Sequence, residues 1–92
     1  MKKHISILGS TGSIGTQALD VVRANPGVFE IDCLTAQSNA TLLIAQAVEF
    51  LPGTVVIGNE DKYDEVKSAL ENYPVKVYCG ADAIVQMMEQ ES

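Results

Sequence analysis

The feature that most constrains this chain is its opening, where Lys3-His4-Ile5-Ser6-Ile7-Leu8 runs into Gly9-Ser10-Thr11-Gly12-Ser13-Ile14-Gly15. Ile5, Ile7 and Leu8 supply an apolar strand, Gly9 ends it, and a helix is predicted from Ser13. The first-turn amides of such a helix have no partner inside it, and its dipole favours negative charge there. The spacing Gly9-x-x-Gly12-x-x-Gly15 is a variant of the G-x-G-x-x-G pattern. Gly9 allows the sharp turn. Gly12 has no Cβ, so a diphosphate can come close to the main chain. Gly15 lets the helix lie against the strand. Ser10, Thr11 and Ser13 are expected to add hydroxyls beside the same amides. The competing reading is an ordinary tight connection in an α/β domain. The strand-turn-helix context, opening a β-α-β pattern, favours nucleotide binding over it.

The remaining periodicity continues that pattern. The first helix runs to Arg23, with Ile14, Ala18, Val21 and Val22 predicted as its inner face, and Asn25-Pro26-Gly27 stops it. Phe29–Ala36 is the second strand, with Phe29, Ile31, Cys33 and Thr35 on one face and Leu34 and Ala36 on the other. A second helix spans Ala40–Phe50, capped by Asn39 or Ser38, with Leu43, Ala47 and Phe50 inward. Thr54–Ile57 reads as a strand covered on both faces. Asn59 is expected to cap a third helix over 61–71, with Tyr63, Val66 and Leu70 inward and Glu60, Asp64, Lys67 and Glu71 in water. Val75–Cys79 is the fourth strand, and a last helix is predicted over 81–90. The order βαβαβαβα implies an α/β fold: a Rossmann-like parallel sheet with helices on both faces and right-handed crossovers. A ligand belongs outside the carboxyl ends of its strands.

Composition narrows the partners. The 92 residues suffice for one small domain or part of a larger one. Net charge is −6 and the six basic residues are scattered without a stripe, which argues against nucleic acid. No apolar run is long enough to span a membrane. Lys2 and Lys3 precede too short an apolar stretch for a signal peptide, so the cytoplasm is the expected compartment. Cys33, Cys79 and His4 read as structural rather than as a disulfide or metal set.

The tip of the second strand addresses the choice of nucleotide. An Asp or Glu there commonly selects NAD through its 2′-hydroxyl. Here the sequence is Thr35-Ala36-Gln37-Ser38-Asn39, without an acid. Gln37, Ser38 and Asn39 are neutral donors at a helix N-terminus, which suits a 2′-phosphate and favours NADP. The simpler alternative is that Ser38 and Asn39 only cap the helix.

The run Ile7–Gly15, followed by Leu19-Asp20-Val21-Val22 and Asn25-Pro26, resembles the start of the 1-deoxy-D-xylulose 5-phosphate reductoisomerase family. The resemblance continues more loosely through Leu34-Thr35-Ala36, Phe50-x-Pro52, Val55-Val56-Ile57 and Val77-Tyr78-Cys79-Gly80. It implies an NADPH-dependent enzyme of the non-mevalonate isoprenoid pathway, acting on a small phosphorylated sugar with the help of a divalent cation, Mg or Mn. By motif position it implies cofactor contacts at Thr11, Gly12, Ser13 and Ile14, and a second set at Gln37, Ser38 and Asn39. Gln37 and Ser38 stand where the family frequently has glycine and lysine, so the NADP preference is expected to be weaker. The resemblance covers the first part of such an enzyme, most of an NADPH-binding domain over residues 1–92. It implies that catalytic residues and metal ligands lie beyond Ser92 and that this chain alone is inert. A homodimer is expected. The fourth strand should extend the sheet in the order 4-3-2-1, with the strand that flanks the first coming after Ser92. The isolated chain is therefore expected to pair with a second copy through its first strand, as a consequence of truncation and not as the parent enzyme's own interface. Other readings are a different NADP-dependent reductase and a stand-alone nucleotide-sensing module.

Overall fold

In the computed structural model, which describes residues 2–80, strands and helices alternate as the periodicity requires. They are β1 (Lys3–Ile7), α1 (Ser13–Ala24), β2 (Phe29–Ala36), α2 (Ala40–Phe50), β3 (Thr54–Ile57), a 3-10 turn (Glu60–Lys62), α3 (Tyr63–Ala69) and β4 (Lys76–Cys79). The strands form one parallel sheet in the order β1-β2-β3-β4, with β1 at an edge of the described sheet. The helix expected over 81–90 lies outside the described residues.

The register explains how the core is shared. Ile5 pairs with Ile31, but Ser6 pairs with Cys33, so Asp32 is an extra residue in β2. This bulge resets the alternation. A strict period of two puts Ile31, Cys33 and Thr35 on one face; the bulge instead moves Leu34 onto the face of Ile31, Ile5 and Ile7. The same face continues through Ala36, Val55, Ile57, Val77 and Cys79. Against it pack Leu19 of α1, Leu43 and Ala47 of α2, and Val66 with Leu70 from α3 and its C-terminal end. Cys33, Thr35 and Val56 face the other way and are buried as well. The continuous apolar run in β3 is therefore what a strand covered on both faces requires.

Helix α1 departs from the predicted inner face. Ile14 and Val21 are exposed, and Gly15 and Leu19 are buried, with Ala18 and Val22 packed at the core margin. At about 100° per residue, Ile14 and Val21 lie roughly 120–140° round the helix axis from the line through Gly15 and Leu19, outside the buried face. Gly15 carries no side chain, and the apolar pattern therefore does not reveal that it marks the line of contact. The third helix is shorter than predicted. Asn59 Oδ1 accepts from the Asp61 N–H at 3.0 Å, and this turn starts the 3-10 segment rather than the α-helix. Leu51 ends α2 with φ +49°, a left-handed value costly for a residue with a Cβ, before Pro52 and Gly53. At their C-terminal ends α1 and α2 are joined by Arg23. Its guanidinium donates to Glu49 and Asp20 and lies 5.2 Å above the Phe50 ring. These groups are largely exposed, so the pairs contribute little beyond fixing the approach of the helices.

Candidate nucleotide-binding site

The turn after β1 is held from β2. Gly9 takes φ +72°, which a side chain would resist. Its N–H donates to Thr35 Oγ1 at 2.9 Å, and the Ser10 N–H donates to the Thr35 carbonyl at 2.7 Å. The Gly12 N–H then donates back to the Gly9 carbonyl at 3.0 Å. Gly12 is the N-cap of α1, with no side-chain cap bond and no acidic residue in the first turn. The leading amides of a 12-residue helix thus meet solvent at its positive dipole end.

The glycines of the motif do different work. A Cβ on Gly15 would lie 2.3 Å from the Gly9 carbonyl oxygen and 2.6 Å from Ser10 Cα, so Gly15 is required for α1 to meet the turn. A Cβ on Gly12 would meet only the Gly9 oxygen, at an ordinary 3.5 Å. No atom of the described residues therefore demands glycine at position 12, and among them the space above it is open to a ligand.

Ser10 corrects the sequence reading. Its hydroxyl does not join those of Thr11 and Ser13 beside the amides. It is fully buried and donates to Gln46 Oε1 at 2.7 Å, while Gln46 Nε2 donates to the Ser10 carbonyl at 2.8 Å. Sequence reasoning missed both Gln46 and Thr35 as parts of the site. The available signal for Gln46 was an amide between Leu43 and Ala47 in the apolar stripe of α2.

The other predicted residues are accessible. Thr11 is half-buried, whereas Gly12, Ser13 and Ile14 are exposed, Ile14 to 84%. Gln37, Ser38 and Asn39 are exposed too. Because β1 and β2 are adjacent and parallel, with Ile7 beside Leu34, the two predicted sets come together at one carboxyl edge. Asn39 Oδ1 accepts from the Leu42 N–H at 3.2 Å, so it caps α2 while remaining exposed. The Gln37 carbonyl accepts from the Asn59 N–H at 2.7 Å, and its side chain lies over Gly58.

Other groups stand apart from this edge. A cavity of about 680 Å³ between α3 and β4, lined by Tyr63, Leu70, Tyr73 and Val77 among others, shares no residue with the glycine turn. Among the described residues no three His, Cys, Asp or Glu side chains are grouped to hold a metal. His4 does have partners. Its Nδ1 lies 2.8 Å from Asp32 Oδ1 and its Nε2 3.3 Å from Glu30 Oε2, all well exposed. The Asp32 hydrogen bond, aided by the charges of Asp32 and Glu30, holds the His4 pKa above its ordinary value. Glu49 is held below the usual carboxylate range by its hydrogen bonds from Arg23.

Comparison with known proteins agrees with the fold. The family model for 1-deoxy-D-xylulose 5-phosphate reductoisomerase matches residues 5–92. The reductoisomerase of Phocaeicola vulgatus is 55% identical over 99% of this chain, and that of Bacteroides fragilis 57% identical over 96%. The chain covers 24% and 23% of those proteins, so it spans about a quarter of the length of the curated relatives it matches. Among solved structures, the Zymomonas mobilis reductoisomerase in complex with NADPH superposes with a TM-score of 0.90 at 32% identity, over 94% of this chain and 23% of that one. A reductoisomerase in complex with NADPH, fosmidomycin and magnesium gives 0.85 at 28% identity, over 91% of this chain and 21% of that one. A glycine turn of the expected geometry, a matching sheet and a family model that spans nearly the whole chain lead to one assignment: the chain belongs to the 1-deoxy-D-xylulose 5-phosphate reductoisomerase family.

Proposed function

We propose that this chain is the NADPH-binding part of an enzyme that rearranges 1-deoxy-D-xylulose 5-phosphate and reduces it to 2-C-methyl-D-erythritol 4-phosphate, a step of isoprenoid biosynthesis. The observation that carries this is the uncapped start of α1 beside an open Gly12, in a family whose Zymomonas mobilis member has been solved with NADPH. When bound, NADPH supplies the hydride. The main-chain amides of Thr11, Ser13 and Ile14 bind the diphosphate over the open Gly12, and the dipole of α1 adds to their attraction. Exposed Ile14 covers an apolar part of the cofactor. Gln37, Ser38 and the Asn39 amide hold the adenine ribose, with its 2′-phosphate at the start of α2. No acid stands there to repel that phosphate.

A magnesium complex is known for a related reductoisomerase, and Mg or Mn is the cation proposed for the whole enzyme. No step through it is assigned to the described residues, which offer no grouped ligands. The cytoplasm is the proposed compartment. The proposed assembly is a homodimer. For this chain in isolation, pairing would run through β1, which has a neighbouring strand on one side only among the described residues. The Lys3 N–H bonds across to the Val28 carbonyl, so the next N–H, of His4, points toward the edge. Sedimentation of the wild type beside His4→Pro tests this. A monomer at high concentration, or a dimer indifferent to that substitution, counts against edge pairing.

The cofactor assignment is tested by calorimetric titration of the full-length protein with NADPH and NADH, beside Gly12→Val. The wild type should bind NADPH more tightly than NADH, and a folded Gly12→Val variant should bind neither. Unchanged affinity in the variant removes the assignment.

A further inference from the structure

We propose that Gln46 is a positioning residue: from α2 it fixes the glycine turn through Ser10 and so sets that turn relative to the Gln37–Asn39 turn. The proposal rests on the reading of these two turns as one cofactor site.

Gln46 is only 6% exposed and Ser10 is fully buried. Their side chains and the Ser10 carbonyl form two hydrogen bonds of 2.7 and 2.8 Å, one in each direction. With its N–H on the Thr35 carbonyl, Ser10 has its N–H, carbonyl and hydroxyl all engaged, by β2 on one side and α2 on the other. A residue held at all three groups cannot rotate, and it lies two positions before Gly12. Among the described residues no buried side-chain polar atom is left without a partner, so the amide fits the site completely. An apolar residue at position 46 would extend the stripe of Leu43 and Ala47, but it would leave the buried Ser10 hydroxyl and carbonyl without partners. The glutamine is therefore called for by Ser10 and the turn that carries it, not by the packing of α2.

Helix α2 connects the two turns. It starts at Asn39, which caps it, and Gln46 follows about two helical turns later. The Gln37–Asn39 turn and the clamp on Ser10 are thus carried by one rigid element. The diphosphate turn is pinned to the same helix that presents the ribose contacts.

The experiment uses the full-length protein with Gln46→Glu and Gln46→Leu. In Gln46→Glu the ionised carboxylate can accept from the Ser10 hydroxyl but faces the Ser10 carbonyl without a proton to offer. Once protonated, the new side chain donates again, and burial raises its pKa toward neutrality. NADPH affinity of Gln46→Glu, taken as a ratio to the wild type at each pH, should be near one at about pH 6. It should fall roughly ten- to hundredfold by about pH 8.5, in line with the loss of a buried hydrogen bond. In Gln46→Leu without cofactor, hydrogen exchange of the 10–15 amides should quicken roughly tenfold or more, with the β3 amides unchanged. A flat ratio in Gln46→Glu together with unchanged exchange in Gln46→Leu overturns the proposal. A wild type that binds no NADPH removes the cofactor assignment instead, and the exchange measurement still decides whether Gln46 positions the turn.

Discussion

Gly15→Ala is the substitution whose cost can be worked most directly from the structure. The added Cβ would lie 2.3 Å from the Gly9 oxygen, 2.6 Å from Ser10 Cα and 2.9 Å from the Ser10 carbonyl carbon. Ordinary contact begins near 3.4 Å, so the closest approach is about 1 Å too short. All three atoms are backbone, and the turn that carries them is tied to Thr35 and Gln46, so no side chain can swing aside. Overpacking of this kind costs about 1–3 kcal/mol, and here the upper end applies. Alanine in a helix returns about 0.5–1 kcal/mol. The net loss is about 2 kcal/mol or more, which lowers the melting temperature by several degrees. Gly12→Ala is the control, since its Cβ meets only one atom at an ordinary distance. It should shift stability by no more than about 1 kcal/mol, yet weaken NADPH binding at least tenfold. Thermal melts by circular dichroism and cofactor titration of both variants read the two effects. A Gly15→Ala variant as stable as the wild type would refute the close-approach account. A Gly12→Ala variant that loses stability and not affinity would refute the division of roles.

Other outcomes follow from the same geometry. Ser38→Lys should raise the preference for NADPH over NADH by about 1 kcal/mol, roughly fivefold, since Ser38 is exposed and its gain is screened. An unchanged preference would remove the 2′-phosphate from that turn. His4 should titrate above its ordinary 6.5, chiefly through Asp32, and Asp32→Asn should bring it back down; a proton NMR titration checks both. Because the folded pKa is raised, the contribution of charged His4 is complete below 6.5 and fades as pH rises through the folded value. Stability of His4→Asn should therefore lack this small alkaline loss, and a wild-type pH profile in that variant would contradict it.

Much of this is legible in the residues alone. The period of two against three and four locates β2, α2 and β3 at their observed bounds, because their apolar residues do face a core. The glycine turn is legible because its constraints are steric, and Gly15 satisfies the strictest of them. The inner face of α1 is not, since a glycine at the contact line leaves Ile14 and Val21 as the misleading apolar signal. Nor is the face of Leu34, because a bulge at Asp32 depends on pairing with β1 and not on β2 alone. The Gln46 clamp on Ser10 joins residues 36 positions apart, and only folding brings them together. Sequence spacing shows Gln46 as an amide in the apolar stripe of α2 but does not name Ser10 as its partner. It also places the Ser10 hydroxyl beside the free amides when the core in fact holds it.

The most direct test of the central claim is amide NMR mapping of NADPH on the full-length protein. Saturating cofactor should shift the Thr11–Ile14 and Gln37–Asn39 amides most, with little change along the cavity between α3 and β4. Shifts centred on Tyr63, Tyr73 and Val77, with the glycine turn unmoved, would contradict it.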